Sequence, residues 1–171
     1  YGVSKLASEH YCHAFYRCYG LETVCLRYFN VFGPRQNPNS PYTGVMAIFI
    51  PLMLRGKQPT IFGDGSITRD FTFIRNNVHA NILALTAEKA PGETMNIACG
   101  ESFSLLHIVE SINRILGTDI EPLFAPPRPG DIQHSLAGVE KAKKILGYEP
   151  LVRFEDGLAE TIEWYRQVMK R

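Results

Sequence analysis

Tyr1 and Lys5 are four positions apart, one turn from each other if the segment is helical. An ammonium beside a phenol favours the phenolate. Such a pair is a general base able to take a proton from an alcohol or sugar hydroxyl. The spacing alone recurs on many helix surfaces, so the neighbouring chemistry has to support it. Arg69 and Arg128 carry planar guanidinium forks that match phosphate oxygens, one beside the extended stretch Asp70-Phe71 and the other in the stiff loop Pro126-Pro127-Arg128-Pro129-Gly130-Asp131. Arg17, Arg55 and Arg114 are read as solvated. Asn30 closes an apolar strand-like segment, at the edge where open α/β sheets bind ligands, although its amide would serve a local turn equally well. Asp131, after Pro-Gly, is either a turn former or a ligand carboxylate. His10 and His13 are one helical turn apart with no third ligand, so no metal centre is expected.

These residues need elements to position them. Val3, Ala7, Tyr11, Ala14 and Cys18 recur at intervals of three and four and predict the buried stripe of a first helix, ended by Gly20, with Tyr1 and Lys5 on another face. Residues 23–29 are rich in β-branched and aromatic types and predict a strand. A turn-rich loop follows from Gly33 through Pro41. A helix over 45–55 is expected, kinked or restarted at Pro51. Short extended pieces are expected at 59–62, before the Gly63-Asp64-Gly65 turn, and at 70–74. A helix at 78–88, a strand at 94–98 and a helix at 105–116 capped by Ser104 and stopped by Gly117 come next. A strand at 120–124 and helices at 139–146 and 154–170 complete an α/β alternation.

The bulk composition narrows the choices. The chain has 171 residues, 45% of them hydrophobic, and a net charge of +1, which suits one domain or a large part of a bigger enzyme and shows no basic patch for nucleic acid. Its longest apolar stretch, 45–54, is too short to span a bilayer and contains Pro51. Cys12, Cys18, Cys25 and Cys99 form no Cys-x-x-Cys pair and are read as buried free thiols of a reducing, cytoplasmic compartment. With no initiator Met, the chain is expected to lack its true N-terminus.

Four ordered stretches give a resemblance. Tyr1-Gly2-Val3-Ser4-Lys5, Leu26-Arg27-Tyr28-Phe29-Asn30-Val31-Phe32-Gly33-Pro34-Arg35, Thr60-Ile61-Phe62-Gly63-Asp64-Gly65 with Arg69-Asp70-Phe71, and Arg128-Pro129-Gly130-Asp131 resemble the second half of an extended short-chain dehydrogenase/reductase, of the nucleotide-sugar epimerase and dehydratase kind. The resemblance runs over essentially the whole chain. It implies a C-terminal fragment: the last elements of a Rossmann-like sheet at about 1–33 and 71–99, and a smaller α/β nucleotide-sugar-binding domain at about 34–70 and 100–171. No Gly-x-Gly-x-x-Gly occurs, so the fragment alone is expected to be inactive and to hold an incomplete site for NAD.

The intact parent is expected to be a homodimeric NAD-dependent UDP-sugar 4-epimerase. The nearest alternatives are a 4,6-dehydratase, a decarboxylase, or a non-catalytic nucleotide-sugar-binding or dimerising module. Tyr1 is implied as the base, and Lys5 as its partner and a holder of the nicotinamide ribose, with Phe29 near the nicotinamide. Asn30, Arg69 and Arg128 are implied at the diphosphate, Asp131 at the ribose, Thr60 and Phe62 around the uracil, and Ser135 beside the sugar C2 substituent. Two departures from the family pattern are Arg75, where an acidic residue is usual, and Pro51, where an unbroken helix is usual.

Overall fold

The computed structural model describes residues 1–37, 40 and 43–170. Helices and strands alternate in the order α1 (Gly2–Tyr19), β1 (Cys25–Tyr28), β2 (Val31–Phe32), α2 (Val45–Leu54), β3 (Thr60–Phe62), β4 (Thr68–Arg69), β5 (Thr72–Phe73) and α3 (Ile74–Thr86). They continue as β6 (Thr94–Ile97), β7 (Phe103–Ser104), α4 (Leu105–Leu116), β8 (Leu123–Ala125), α5 (Glu140–Leu146) and α6 (Phe154–Met169). Among the described residues the strands pair two by two: β1 with β6, β2 with β5 and β3 with β8 in parallel, and β4 with β7 antiparallel. Parallel pairs need crossover connections, and the class is α/β as expected. No helix among the described residues is long and apolar enough to cross a membrane.

Two main apolar clusters hold these layers. The larger packs Phe32, Phe71 and Phe73 against Phe49 and Ile50 of α2, Ile108 and Ile112 of α4, and Leu158 and Ile162 of α6. The smaller joins Ala80, Met95, Ile97, Ala142, Leu146 and Tyr148. Arg75 finds a partner within the chain, pairing with Glu160 of α6 while its guanidinium lies 5.3 Å from the Phe73 ring centroid. α2 runs through Pro51 without a break. The missing Pro51 N–H weakens the helix, but Ala47, Ile50 and Met53 are all buried and their packing holds it.

The α6 contact with β5 depends on Gly157. A Cβ there would lie 2.7 Å from Phe73 Cγ, and Phe73 is itself buried, its ring centroid 5.6 Å from that of Phe32. Gly157→Ala should therefore destabilise the fold by about 1–3 kcal/mol, the usual cost of overpacking. An unchanged urea midpoint would contradict that packing.

Several expectations are corrected. The apolar stripe of α1 is not buried: Val3 is 83% and Tyr11 68% exposed, and no residue of the helix is buried. α1 docks instead through its polar side, where Arg27 Nε and Nη2 donate to Glu9 at 2.8 and 2.6 Å, and His13 Nε2 lies 2.8 Å from Thr94 Oγ1. The expected stripe therefore faces away from the strands. Cys18 is exposed and the other three thiols are half-buried, so the cysteines are free but not buried. α3 begins at Ile74, four residues before the expected start. β2, β4 and β7 were not foreseen. Of the expected turn-rich loop, Pro38, Asn39 and Pro41 lie outside the described residues. α4 has the expected bounds, with Ser104 Oγ accepting from His107 N at 3.1 Å and Gly117 in the left-handed region at φ 70°.

Candidate functional site

A cavity of about 490 Å³ opens between α2, the C-terminal side of β1 and β2, strands β3 and β4, and the 128–131 loop. It brings together Asn30, Thr60, Phe62, Arg69, Arg128 and Asp131. Ile48, Phe49 and Leu52 of α2 form an apolar wall on one side. The cavity is thus apolar along one flank and cationic at the other, which suits a ring joined to an anion.

Each polar residue is set by its local backbone. Asn30 follows β1 in the left-handed region, at φ 30°, which asparagine tolerates better than most residues. Its Nδ2 donates to Asp70 O at 3.0 Å, and its own carbonyl accepts from Thr72 N at 3.2 Å. The local-turn role and the place at the cavity are therefore both real. Arg69 ends β4 and donates through Nη1 to Thr68 O at 2.8 Å, using a small part of its donor capacity. Arg128 lies with Cζ 3.8 Å from the Phe62 ring centroid, a stacked cation–π contact. One face of Phe62 is therefore covered by Arg128. Asp131 N donates to Arg128 O at 3.3 Å and tightens the loop. Neither Arg69 nor Arg128 enters an ion pair among the described residues.

Four expected site residues lie elsewhere. Tyr1 is the N-cap of α1 and 78% exposed, with Lys5 Nζ 5.4 Å from its ring centroid, above the ring face. Phe29 donates from its backbone N to Ile97 O at 3.3 Å and packs against Ala98, Ala137 and Val139. Ser135 is half-buried beside β4, its N donating to Thr68 O at 3.1 Å, and it does not line the cavity.

Two residues at the site escaped sequence reasoning. Gln36 lines the cavity and its Nε2 donates to Val31 O at 3.3 Å; a neutral residue in a loop gives no periodic or charge signal. Asp70 is wholly buried directly behind Arg69. Burial pushes its carboxyl above the ordinary range, while backbone N–H bonds from Cys99, Ala137 and Gly100 pull it back down. Because the folded value is raised, acidification through it adds stability at this residue, and that contribution is lost as pH rises again. Burial also pushes the neighbouring Cys99 thiol up to about 11, so it stays protonated at neutral pH.

Comparison with known proteins identifies the architecture. Residues 1–98 match the NAD dependent epimerase/dehydratase family. The chain belongs to that family. The UDP-glucose 4-epimerase of Thermotoga maritima, solved with UDP-glucose, superposes with a TM-score of 0.93 at 43% identity, over 99% of this chain and 54% of that one. The UDP-N-acetylglucosamine 4-epimerase of Methanobrevibacter ruminantium, solved with UDP-N-acetylmuramic acid, gives 0.93 at 39% identity, over 99% and 54%. A UDP-N-acetyl-α-D-glucosaminuronate decarboxylase of Bacillus cytotoxicus is 32% identical over 98% of this chain and 53% of its own length. The chain spans about half the length of the family members it matches.

Proposed function

We propose that the whole protein is an NAD-dependent UDP-sugar 4-epimerase and that this chain carries its nucleotide-sugar site. The observation that carries the reading is the cavity itself, where two arginines with no ion-pair partner among the described residues meet an aromatic ring, an amide and a carboxylate. Arg69 and Arg128 would hold the diphosphate with Asn30, Asp131 would accept from the ribose hydroxyls, and Thr60 and Phe62 would frame the base. The family kinship and the UDP-sugar enzymes among the similar proteins support it.

Tyr1 and Lys5 are exposed and one turn apart, which fits the nicotinamide-ribose end of an NAD, and Phe29 is assigned to the nicotinamide side by the family resemblance. The chain holds no Gly-x-Gly-x-x-Gly for the pyrophosphate, and we expect it to be inactive by itself. When bound, NAD supplies the reversible hydride acceptor. Tyr1 then takes the C4 hydroxyl proton and later returns it, while Arg69 and Arg128 hold the diphosphate as the keto sugar turns about it. In this reading residues of about 1–33 and 71–99 belong to the cofactor-side sheet and the remainder to the nucleotide-sugar side. The apolar side of α1, turned away from its own strands, is the surface we assign to a second copy in a homodimer. Sedimentation should show a wild-type dimer and a monomeric Tyr11→Glu variant; a wild-type monomer would contradict the assignment. The free cysteines support a reducing, cytoplasmic setting.

The test is product analysis with the whole protein and NAD. Appearance of UDP-galactose from UDP-glucose supports an epimerase; a 4-keto-6-deoxy product, or carbon dioxide from a UDP-sugar acid, would move the assignment to a dehydratase or decarboxylase.

The sugar's width is assigned to Ser135. A serine there leaves room for a C2 acetamido group, so UDP-N-acetylglucosamine should turn over at least as well as UDP-glucose. Ser135→Tyr should remove the acetylated activity selectively, by about 10–200-fold in kcat/KM, because the larger side chain would take the space that a C2 acetamido group reaching past the cavity needs. Equal losses for both sugar pairs would show that Ser135 does not read C2.

A further inference from the structure

Asp70 has no cationic partner among the described residues, yet it is wholly buried. Its carboxylate accepts three backbone N–H groups instead: Cys99 N at 3.1 Å on Oδ1, and Gly100 N at 3.0 Å and Ala137 N at 3.3 Å on Oδ2. A buried carboxylate is costly unless its oxygens are well bonded. Here one side chain gathers donors from two segments far apart in sequence, the turn after β6 and the 131–137 stretch.

The 131–137 stretch has its other attachment at Thr68. Thr68 N donates to Gln133 O at 3.0 Å, Ser135 N donates to Thr68 O at 3.1 Å, and Thr68 Oγ1 lies 3.1 Å from His134 Nδ1. Asp70 therefore pins the end of a stretch whose beginning, Asp131, lines the cavity. The main chain of the same residue accepts from the Asn30 amide at 3.0 Å. Arg69, its neighbour, also reaches back towards Gln133 O, at 3.5 Å. Asp131 is thus tied to Asp70 through the side chain that holds its stretch, Asn30 through the Asp70 carbonyl and Arg69 through Gln133 of the held stretch, while Asp70 itself does not line the cavity.

We propose that Asp70 is a positioning residue for a nucleoside diphosphate: by fixing 131–137 beside β4 and β5, it sets Asp131 relative to Arg69 and Asn30 without touching the ligand. This rests on the reading of the cavity as a UDP-sugar site. Asp70→Asn keeps the side-chain volume but turns one acceptor oxygen into an N–H₂ facing an N–H donor, which releases at least one of the three bonds.

The experiment is calorimetric titration of this chain with UDP-glucose, for the wild type, Asp70→Asn, Asp131→Ala and the double variant. Asp70→Asn should bind about five- to thirty-fold more weakly, the scale of one or two lost hydrogen bonds. The double variant should lose less than the product of the single losses, because Asp131 is what Asp70 places; a purely structural role would leave the losses multiplicative. A loss within about twofold, or multiplicative losses, overturns the proposal while the cavity reading stands. Failure of the wild type to bind UDP-glucose overturns both. Where Asp70→Asn does not fold, amide exchange on the wild type decides: bound UDP-glucose should slow exchange at Gly100 and Ala137 about tenfold or more, since coupling is reciprocal. Unchanged exchange there contradicts the proposal.

Discussion

Tyr1→Phe in the whole protein is expected to lower turnover by about 10²–10⁴-fold, the range that a positioned general base contributes, with UDP-glucose affinity within about twofold of wild type. The variant keeps the ring beside Lys5, which lies 5.4 Å from its centroid, and removes only the hydroxyl. The cavity residues stay as they are, because Tyr1 is the exposed N-cap of α1 and lines no part of the cavity. Turnover and binding should therefore separate cleanly. A variant keeping more than about a tenth of the wild-type rate would show that another group moves the proton. A parallel loss of affinity would place Tyr1 in ground-state binding instead.

Arg128→Ala has the converse signature. It should weaken UDP-glucose binding by about 1.5–3 kcal/mol, the scale of a charged hydrogen bond, or roughly ten- to 150-fold. The loss is that of the guanidinium's hydrogen bonds to the diphosphate, since the contact with the Phe62 ring at 3.8 Å lies within the protein and is lost from free and bound states alike. Arg128→Lys should recover little, since an ammonium neither forks onto phosphate oxygens nor stacks as a plane. NAD affinity should not move. If UDP and UDP-glucose affinities both stay within about twofold of wild type, Arg128 is a surface residue and the diphosphate assignment fails.

Local signals in the sequence gave the local structure. Ser104 and Gly117 bound α4 because caps act on the nearest backbone groups. β2, β4 and β7 have two residues each, too short for any period to be read. In α1 the apolar spacing marked a real stripe, but spacing does not say what covers it, and Glu9 and His13 dock the helix instead. Arg69, Arg128 and Asp131 stood out by charge and turn chemistry, but the ligand groups they would meet came only from the family resemblance; the structure gathers all three at one cavity. Asp70 stood in the same motif, yet its part depends on amides at 99, 100 and 137 that only the tertiary fold brings to it. Gln36 entered the cavity through the path of its loop, which a one-dimensional pattern does not carry.

The most direct test of the account is a titration of isotopically labelled chain with UDP-glucose, followed by backbone amide chemical shifts. Saturable shifts are expected at Asn30, at Thr60–Phe62, at Arg69 and at residues 128–131, with the diphosphate-free uridine producing far smaller ones. Shifts gathered instead along Gly2–Tyr19, or shifts of equal size and position for uridine and UDP-glucose, would contradict it.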